Sequence, residues 1–152
     1  MNTIAEKFVN AGSYVGKTEK NALTSAYKQE RWAANTERLG RADSLSIWYT
    51  VEELENFLNE VKENGGNGVR IHFGVFPEGY RKPELVGMQT VVLVANRSAD
   101  GTLENAKELR SRNGEILAMD GPIPCPPYCG TGGNGLGKAS LVVREDDTLE
   151  II

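Results

Sequence analysis

The chain's one histidine, His72, and the nearby Arg70 are the first candidates for chemistry. An imidazole titrates near neutral pH and can serve as a general base. Both side chains alternate with apolar residues from Val69 to Val75, which predicts that they share the polar face of a strand. With Trp48 and Tyr80 on that face, the composition would be typical of a ligand cleft or a protein interface. Buried aromatic side chains and merely solvated charges are the simpler alternative, and the pattern favours them.

Cys125 and Cys129 form the second candidate group, with four-residue spacing in a proline-rich run. They could close a small disulfide, share a metal or form a redox pair. A redox pair normally has C-x-x-C at a helix start, which this spacing does not match. A structural zinc needs four ligands, so a carboxylate such as Asp120 would have to complete the set. Unreactive reduced thiols are the favoured interpretation, and an intracellular location weakens the case for a disulfide.

A glycine-rich stretch matches two nucleotide-binding patterns by letter. Gly130–Gly135 fits G-x-G-x-x-G, and Gly132–Lys138 fits the G-x-x-x-x-G-K part of a phosphate-binding loop. Each pattern should follow a strand and open a helix, whereas prolines precede this stretch and a strand-like run follows it. Ala139 also replaces the hydroxyl residue that binds magnesium. The stretch is therefore predicted to be a turn-forming loop, and no cofactor is expected.

Other patterns of catalysis are missing from the sequence. It contains no serine elbow, no H-E-x-x-H and no paired catalytic carboxylates. Glu52 and Glu53 are explained by helix capping, and Asp146 and Asp147 by a solvated tail. A non-enzymatic role is therefore favoured over an enzymatic one.

Composition and charge exclude several classes of protein. The 152 residues are 39% hydrophobic and 25% charged, which suits one globular domain over residues 1–152. The net charge of −4 and the lack of a Lys/Arg cluster argue against nucleic-acid binding. No stretch approaches the about 18 apolar residues of a membrane span, and the N-terminus does not resemble a secretory signal. A cytoplasmic protein is expected.

The N-terminal segment, residues 1–41, is polar and favours a helix. Thr18 is predicted to cap this helix, and Gly40 to end it. Its apolar side is thin, which predicts that the helix lies against the core or a partner subunit; that side consists of Leu23, Ala26, Tyr27 and Ala34.

Residues 44–96 carry the clearest pattern, and residues 44–118 are predicted to form an α+β core. A strand at 44–49 precedes a helix that Thr50 and Glu53 open as a capping box. Glycines at 65 and 66 end that helix. Val69–Val75 predicts a half-buried strand, and Thr90–Ala95 a central strand covered on both faces. The resulting order is β-α-β-β, in a mainly antiparallel or mixed sheet.

The rest of the chain has a weaker pattern. Leu103, Ala106 and Leu109 are spaced for a short helix, and residues 116–119 form a brief apolar run. Residues 119–152 form a Gly-, Pro- and Cys-rich segment with a last short strand at Leu141–Val143.

Four stretches of this sequence together resemble a small uncharacterised bacterial protein family, found mainly in Bacteroidetes-type genomes. The resemblance covers about residues 44–130 and implies a bacterial, cytosolic origin. It implies no catalytic residue, because no activity is assigned to that family. The stretches are Ser46–Leu54, Gly68–Gly74, Gln89–Val92 and Cys125–Cys129.

Taken together, these observations favour a non-catalytic binding or protein-interaction module that forms a homo-oligomer or binds a protein partner. An edge strand and the thin N-terminal helix would both offer surface for pairing. One alternative is a small enzyme or ligand-binding domain with a cleft around Arg70, His72 and Tyr80. The other is a domain stabilised by metal at Cys125 and Cys129.

Overall fold

A computed structural model of the protein describes residues 11–130 and the backbones of two short strands at 141–143 and 149–151. The chain divides into two compact units. The first unit contains Tyr49–Phe73 and Val91–Gly121, and the second contains Val15–Trp48, Gly74–Thr90 and the described residues from Pro122 onward. Helices and antiparallel sheets confirm the predicted α+β class. The single domain over residues 1–152 stays a prediction.

The N-terminal helical segment lies in the second unit. It consists of α1 (Lys17–Tyr27), a π-helical turn (Lys28–Trp32) and α2 (Ala33–Leu39). Gly16 is the N-cap residue of α1 and supplies no side chain, so the predicted cap at Thr18 is wrong. The predicted end is confirmed: Gly40 takes the left-handed conformation at φ +77° that glycine adopts without strain.

The helix α3 (Val51–Glu63) opens the first unit as its sequence predicts. The Thr50 hydroxyl oxygen accepts a hydrogen bond from the Glu53 N–H at 3.0 Å, and the Thr50 N–H donates to Glu53 Oε2 at 2.9 Å. This reciprocal pair satisfies two donors that a helix start otherwise leaves unpaired.

The predicted order of strand, helix, strand and strand is confirmed. The first strand is shorter than predicted: β1 (Ser46–Ile47) pairs antiparallel with β6 (Pro124–Cys125). The main sheet has β2 (Gly68–Val75) at its edge and β3 (Gln89–Ser98) at its centre. Two short strands, β4 (Ala106–Glu108) and β5 (Ala118–Asp120), pair with successive parts of β3. The last strands, β7 (Leu141–Val143) and β8 (Leu149–Ile151), pair antiparallel with each other.

The short helix predicted around Leu103, Ala106 and Leu109 is wrong. Ala106 begins β4, and the Leu109 N–H donates to the Ala95 carbonyl at 2.9 Å. Pairing with the central strand satisfies these backbone groups, whereas three apolar residues at helical spacing make too little helix to compete.

Each unit has its own apolar cluster. In the first unit, Phe57 and Val61 of α3 pack with Leu93, Ala95 and Leu109. In the second unit, the cluster is formed by Phe76, Leu85 and Met88. The prediction that β3 is covered on both faces agrees with its burial, since Leu93, Val94 and Ala95 are all buried.

The strand β2 is less buried than its alternating pattern predicts. Val69 packs against the apolar cluster of the first unit. Ile71 is 58% exposed and Phe73 is 83% exposed. The prediction of a half-buried face is therefore wrong beyond Val69. The strand β2 lies at the sheet edge, and the side chains of Ile71 and Phe73 are outside the apolar cluster. Among the described helices, none combines the length and the apolar character that a membrane crossing requires.

Candidate functional sites

The four residues predicted to share one surface are divided between the two units. In the first unit, Arg70 and His72 occupy alternate positions of β2, and both are exposed. In the second unit, Trp48 is exposed just after β1, and its backbone N–H donates to the Ile123 carbonyl at 3.0 Å. Tyr80, also in the second unit, is half-buried, and its ring centroid lies 4.8 Å from that of Phe76. The structure thus places Arg70 and His72 on one strand face.

Arg70 also lines an open groove in the first unit. The groove measures about 380 Å³ and runs between the start of β2 and the loop before β4. His72 is not among its lining residues. The groove therefore joins Arg70 to the loop at residues 101–103 and not to the imidazole.

Next to that loop, the carboxylate of Asp100 accepts hydrogen bonds from residues close to it in the sequence. Asp100 accepts from the Thr102 hydroxyl at 2.7 Å and from the Thr102 N–H at 3.0 Å. It also accepts from Asn105 Nδ2 at 2.6 Å and from the Ser98 hydroxyl at 3.1 Å. These donors, those of Thr102 first, hold the pKa of Asp100 well below its usual range. The carboxylate shapes the turn, and its oxygens are already occupied.

The apolar edge of the first unit consists of Ile71 and Phe73 on β2. These side chains are two positions apart, so they project from the same face of the strand. Among the described strands β2 ends the sheet, so its outer backbone N–H and C=O groups face away from β3. Exposed apolar side chains beside an open strand edge are typical of a surface on which another strand can pair.

A cavity of about 240 Å³ lies within the second unit. Its walls combine charged and amide side chains with apolar ones: Asn35, Arg38, Leu39, Asp43, Val75, Gly87 and Gln89. Asp43 is only 2% exposed, which is rare for a carboxylate without a cationic partner. The sequence indicated none of these residues as functional.

Gln89 organises the wall of this cavity. Its backbone N–H donates to Asp43 Oδ1 at 2.8 Å, and its carbonyl accepts from the Ser44 hydroxyl. Its side-chain Oε1 accepts from the Tyr27 hydroxyl at 2.8 Å and from Asn35 Nδ2 at 3.4 Å. Burial, followed by the charge of Asp43, raises the pKa of Tyr27. These bonds hold Asp43 and Gln89 in fixed positions.

Two residues of the N-terminal helical segment, Trp32 of the π-helical turn and Thr36 of α2, hold the Asp43 backbone as well. The Asp43 N–H donates to the Thr36 hydroxyl at 3.1 Å, and its carbonyl accepts from Trp32 Nε1 at 2.8 Å. Both donor and acceptor side chains are buried. Asp43 is therefore rigidly placed at the wall of the cavity.

Cys125 and Cys129 are joined in a disulfide, with their Cα atoms 4.8 Å apart. This differs from the reduced pair that the sequence favoured. Within the described residues, no three His, Cys, Asp or Glu side chains are grouped to hold a metal ion. Residues 131–138 of the glycine-rich patterns lie outside the part of the chain that the structure describes.

The segment between the two cysteines contacts the loop before β3. The Tyr128 hydroxyl donates to Glu84 Oε1 at 2.8 Å, and the Lys82 ammonium lies 4.9 Å from the centre of the Tyr128 ring. Lys82 also donates to the Pro122 carbonyl at 3.2 Å. Residues on both sides of Cys125 are therefore tied to residues 82–84.

No family model, no curated protein and no solved structure matches the chain. The resemblance to a small bacterial family therefore stays a prediction.

Proposed function

We propose that the protein is a non-catalytic interaction module that associates with a second copy of itself through the edge of β2. The observation that carries this proposal is the exposure of Phe73, at 83%, beside Ile71 on an edge strand. Natural edge strands are commonly protected by charges, prolines or bulges that discourage pairing. On β2, charged or polar side chains occupy one face only, and the other face is apolar.

Pairing would use both the backbone and the side chains of β2. Another strand would satisfy the outward N–H and C=O groups, while the apolar side chains would leave water. Burying a Phe or Ile side chain fully contributes about 1.5–3 kcal/mol relative to its exposed state. Ile71 and Phe73 are exposed in the single chain, so much of this free energy becomes available when two copies associate.

A second copy suits this edge because the pattern is self-complementary. An antiparallel pair of β2 strands with its two-fold axis at His72 sets Ile71 of one copy opposite Phe73 of the other. The symmetry repeats this pair, so two apolar contacts form on one face. Ile71 and Phe73 of each copy are then buried together.

The test compares two substitutions at apolar residues of similar exposure. Phe73→Gln removes an apolar contact from the proposed interface, and Val51→Gln alters a residue that is 72% exposed at the start of α3. Light scattering and sedimentation over a range of concentrations should show a dimer for the wild type. Because each substitution acts twice in a symmetric dimer, Phe73→Gln should raise the dissociation constant roughly 100-fold.

Val51→Gln should leave the dissociation constant close to that of the wild type. A wild-type chain that stays monomeric at every concentration would overturn the proposal. Equal effects of Phe73→Gln and Val51→Gln would overturn it as well, since general loss of apolar surface would then explain both.

For the location we propose the cytoplasm, in keeping with the cytosolic origin that the resemblance to a small bacterial family implies. In that compartment the thiol pools would keep Cys125 and Cys129 reduced for much of the time.

A further inference from the structure

We propose that the cavity of the second unit binds a free α-amino acid, with the ligand's ammonium group at Asp43 and its carboxylate at Arg38. The two charged residues of this site, Asp43 and Arg38, do not belong to β2, although Val75 at the end of that strand lines the cavity. The site depends on residues of the second unit alone.

The first observation is that one carboxylate oxygen of Asp43, Oδ2, accepts no hydrogen bond from a described residue. Oδ1 accepts from the Gln89 N–H at 2.8 Å, but no described residue donates to Oδ2. In the described part of the chain, no fully enclosed side-chain oxygen or nitrogen lacks a partner. Oδ2 must therefore reach open space, and the cavity that Asp43 lines provides it.

A buried carboxylate with few hydrogen-bond donors is stabilised by a bound cation. Taking its charge out of water is costly unless a positive group or several donors compensate. Asp43 is 2% exposed, and in the described part of the chain its side chain has a single donor, the Gln89 N–H. An ammonium group in the cavity would donate to Oδ2 and would neutralise this charge.

Arg38 supplies the opposite charge at the same cavity. Its guanidinium is exposed on α2 and forms neither a hydrogen bond nor an ion pair with any described residue. Arg38 and Asp43 thus line one small space without pairing with each other. A guanidinium binds a carboxylate through two parallel hydrogen bonds, so a ligand with both charges can engage both residues.

The remaining wall fits the rest of such a ligand. Gln89 lines the cavity; its Oε1 atom is used by Tyr27 and Asn35, whereas its side-chain amide N–H groups have no partner among the described residues. Leu39 and Val75 provide apolar surface for a small side chain. The volume of about 240 Å³ lies below the range of drug-sized pockets and suits a ligand of few atoms.

The experiment titrates the full chain with each of the twenty L-amino acids. The side-chain amide NMR signals of Asn35 and Gln89 report on the cavity directly, and a thermal shift gives a second readout. At least one amino acid should shift both amide signals in a saturable manner. For the best binder, the matching amine without a carboxylate and the matching acid without an ammonium should each bind at least several-fold more weakly.

Three variants separate the two charged contacts from general effects. Asp43→Asn keeps an oxygen that can accept from the Gln89 N–H but replaces the anion, and it should weaken binding roughly 10- to 100-fold. Arg38→Gln, at an exposed position, should weaken binding roughly 10-fold without disturbing the fold. Arg31→Gln is the matched control and should bind as the wild type does, because Arg31 is exposed and, among the residues that the structure describes, donates only to the Glu30 carbonyl.

The proposal is overturned if no amino acid shifts the amide signals, or if Asp43→Asn and Arg38→Gln bind as the wild type does. It is also overturned if the amine without a carboxylate binds as tightly as the amino acid. Phe73→Gln should leave amino-acid binding unchanged, so the outcome for this site can be told apart from the outcome for self-association.

Discussion

The surroundings of Tyr49 in the first unit change the pKa of its hydroxyl group. Its hydroxyl donates to the Asp120 carbonyl at 2.7 Å, and its ring packs against the apolar cluster around Phe57. Burial first, and then the charges of Asp120 and Glu53, raise the pKa of Tyr49 to about 12. In the unfolded chain the same phenol titrates near its ordinary value of about 10.

This difference predicts a loss of stability at high pH. Between about 10 and 12 the unfolded chain releases the Tyr49 proton while the folded chain keeps it, so rising pH favours unfolding. Urea denaturation across this range should show stability falling with pH, and Tyr49→Phe should make that fall less steep. At neutral pH, Tyr49→Phe should cost about 1 kcal/mol through the lost hydrogen bond. An equal slope in both proteins would contradict the assignment.

Gly66 is a residue at which packing leaves no room for a side chain. A Cβ atom there would lie 2.6 Å from Val61 Cγ1 and 2.9 Å from Leu109 Cδ2, both of which belong to buried core residues. Gly66→Ala should therefore destabilise the protein by about 1–3 kcal/mol, as overpacking does. Gly12→Ala, where no atom lies within 4 Å, should leave the thermal midpoint unchanged. Similar midpoints for both variants would contradict the close packing.

At the scale of the element, two threonines near helix starts provide a matched comparison. Thr50 caps α3 through a bond with the Glu53 N–H, whereas Thr18 is inside the first turn of α1 and does not cap it. Thr50→Ala should cost about 1 kcal/mol of unfolding free energy, while Thr18→Ala should cost nothing or add slight stability, since alanine favours helices. Chemical denaturation of both variants measures the difference, and equal losses would contradict the capping role.

Elements defined by neighbours in sequence could be predicted, and those defined by distant contacts could not. The capping box of α3 involves residues three apart, and the left-handed end at Gly40 involves one residue. The strand at Ala106–Glu108 depends instead on pairing with β3, which its own three residues do not indicate. Its weak helical spacing was therefore misleading.

The same reasoning applies to the candidate sites. The alternating pattern of β2 correctly predicts a strand, but the exposure of Phe73 depends on where that strand lies in the sheet. Asp43 and Gln89 are joined by a hydrogen bond across 46 positions of sequence. No local motif carries that information, so only the folded chain reveals the cavity.

At the scale of the whole molecule, a disulfide contributes to stability in addition to the two apolar clusters. The disulfide between Cys125 and Cys129 closes a short loop next to β1, because Cys125 pairs with Ser46. From that loop, the Tyr128 N–H donates at 2.8 Å to the carbonyl of Pro124, the residue before Cys125. Closing a loop restricts the unfolded chain, and the chain-entropy relation gives about 2 kcal/mol for five residues.

Reduction should therefore lower the stability of the whole chain by up to about 2 kcal/mol. Protein purified without reductant and then denatured should show no titratable thiol, and dithiothreitol should lower its denaturation midpoint. Cys129→Ala is the control: it should start at the reduced stability and should not respond to dithiothreitol. A wild-type midpoint that dithiothreitol does not lower, or an equal response of the Cys129→Ala variant, would show that the disulfide does not stabilise the fold.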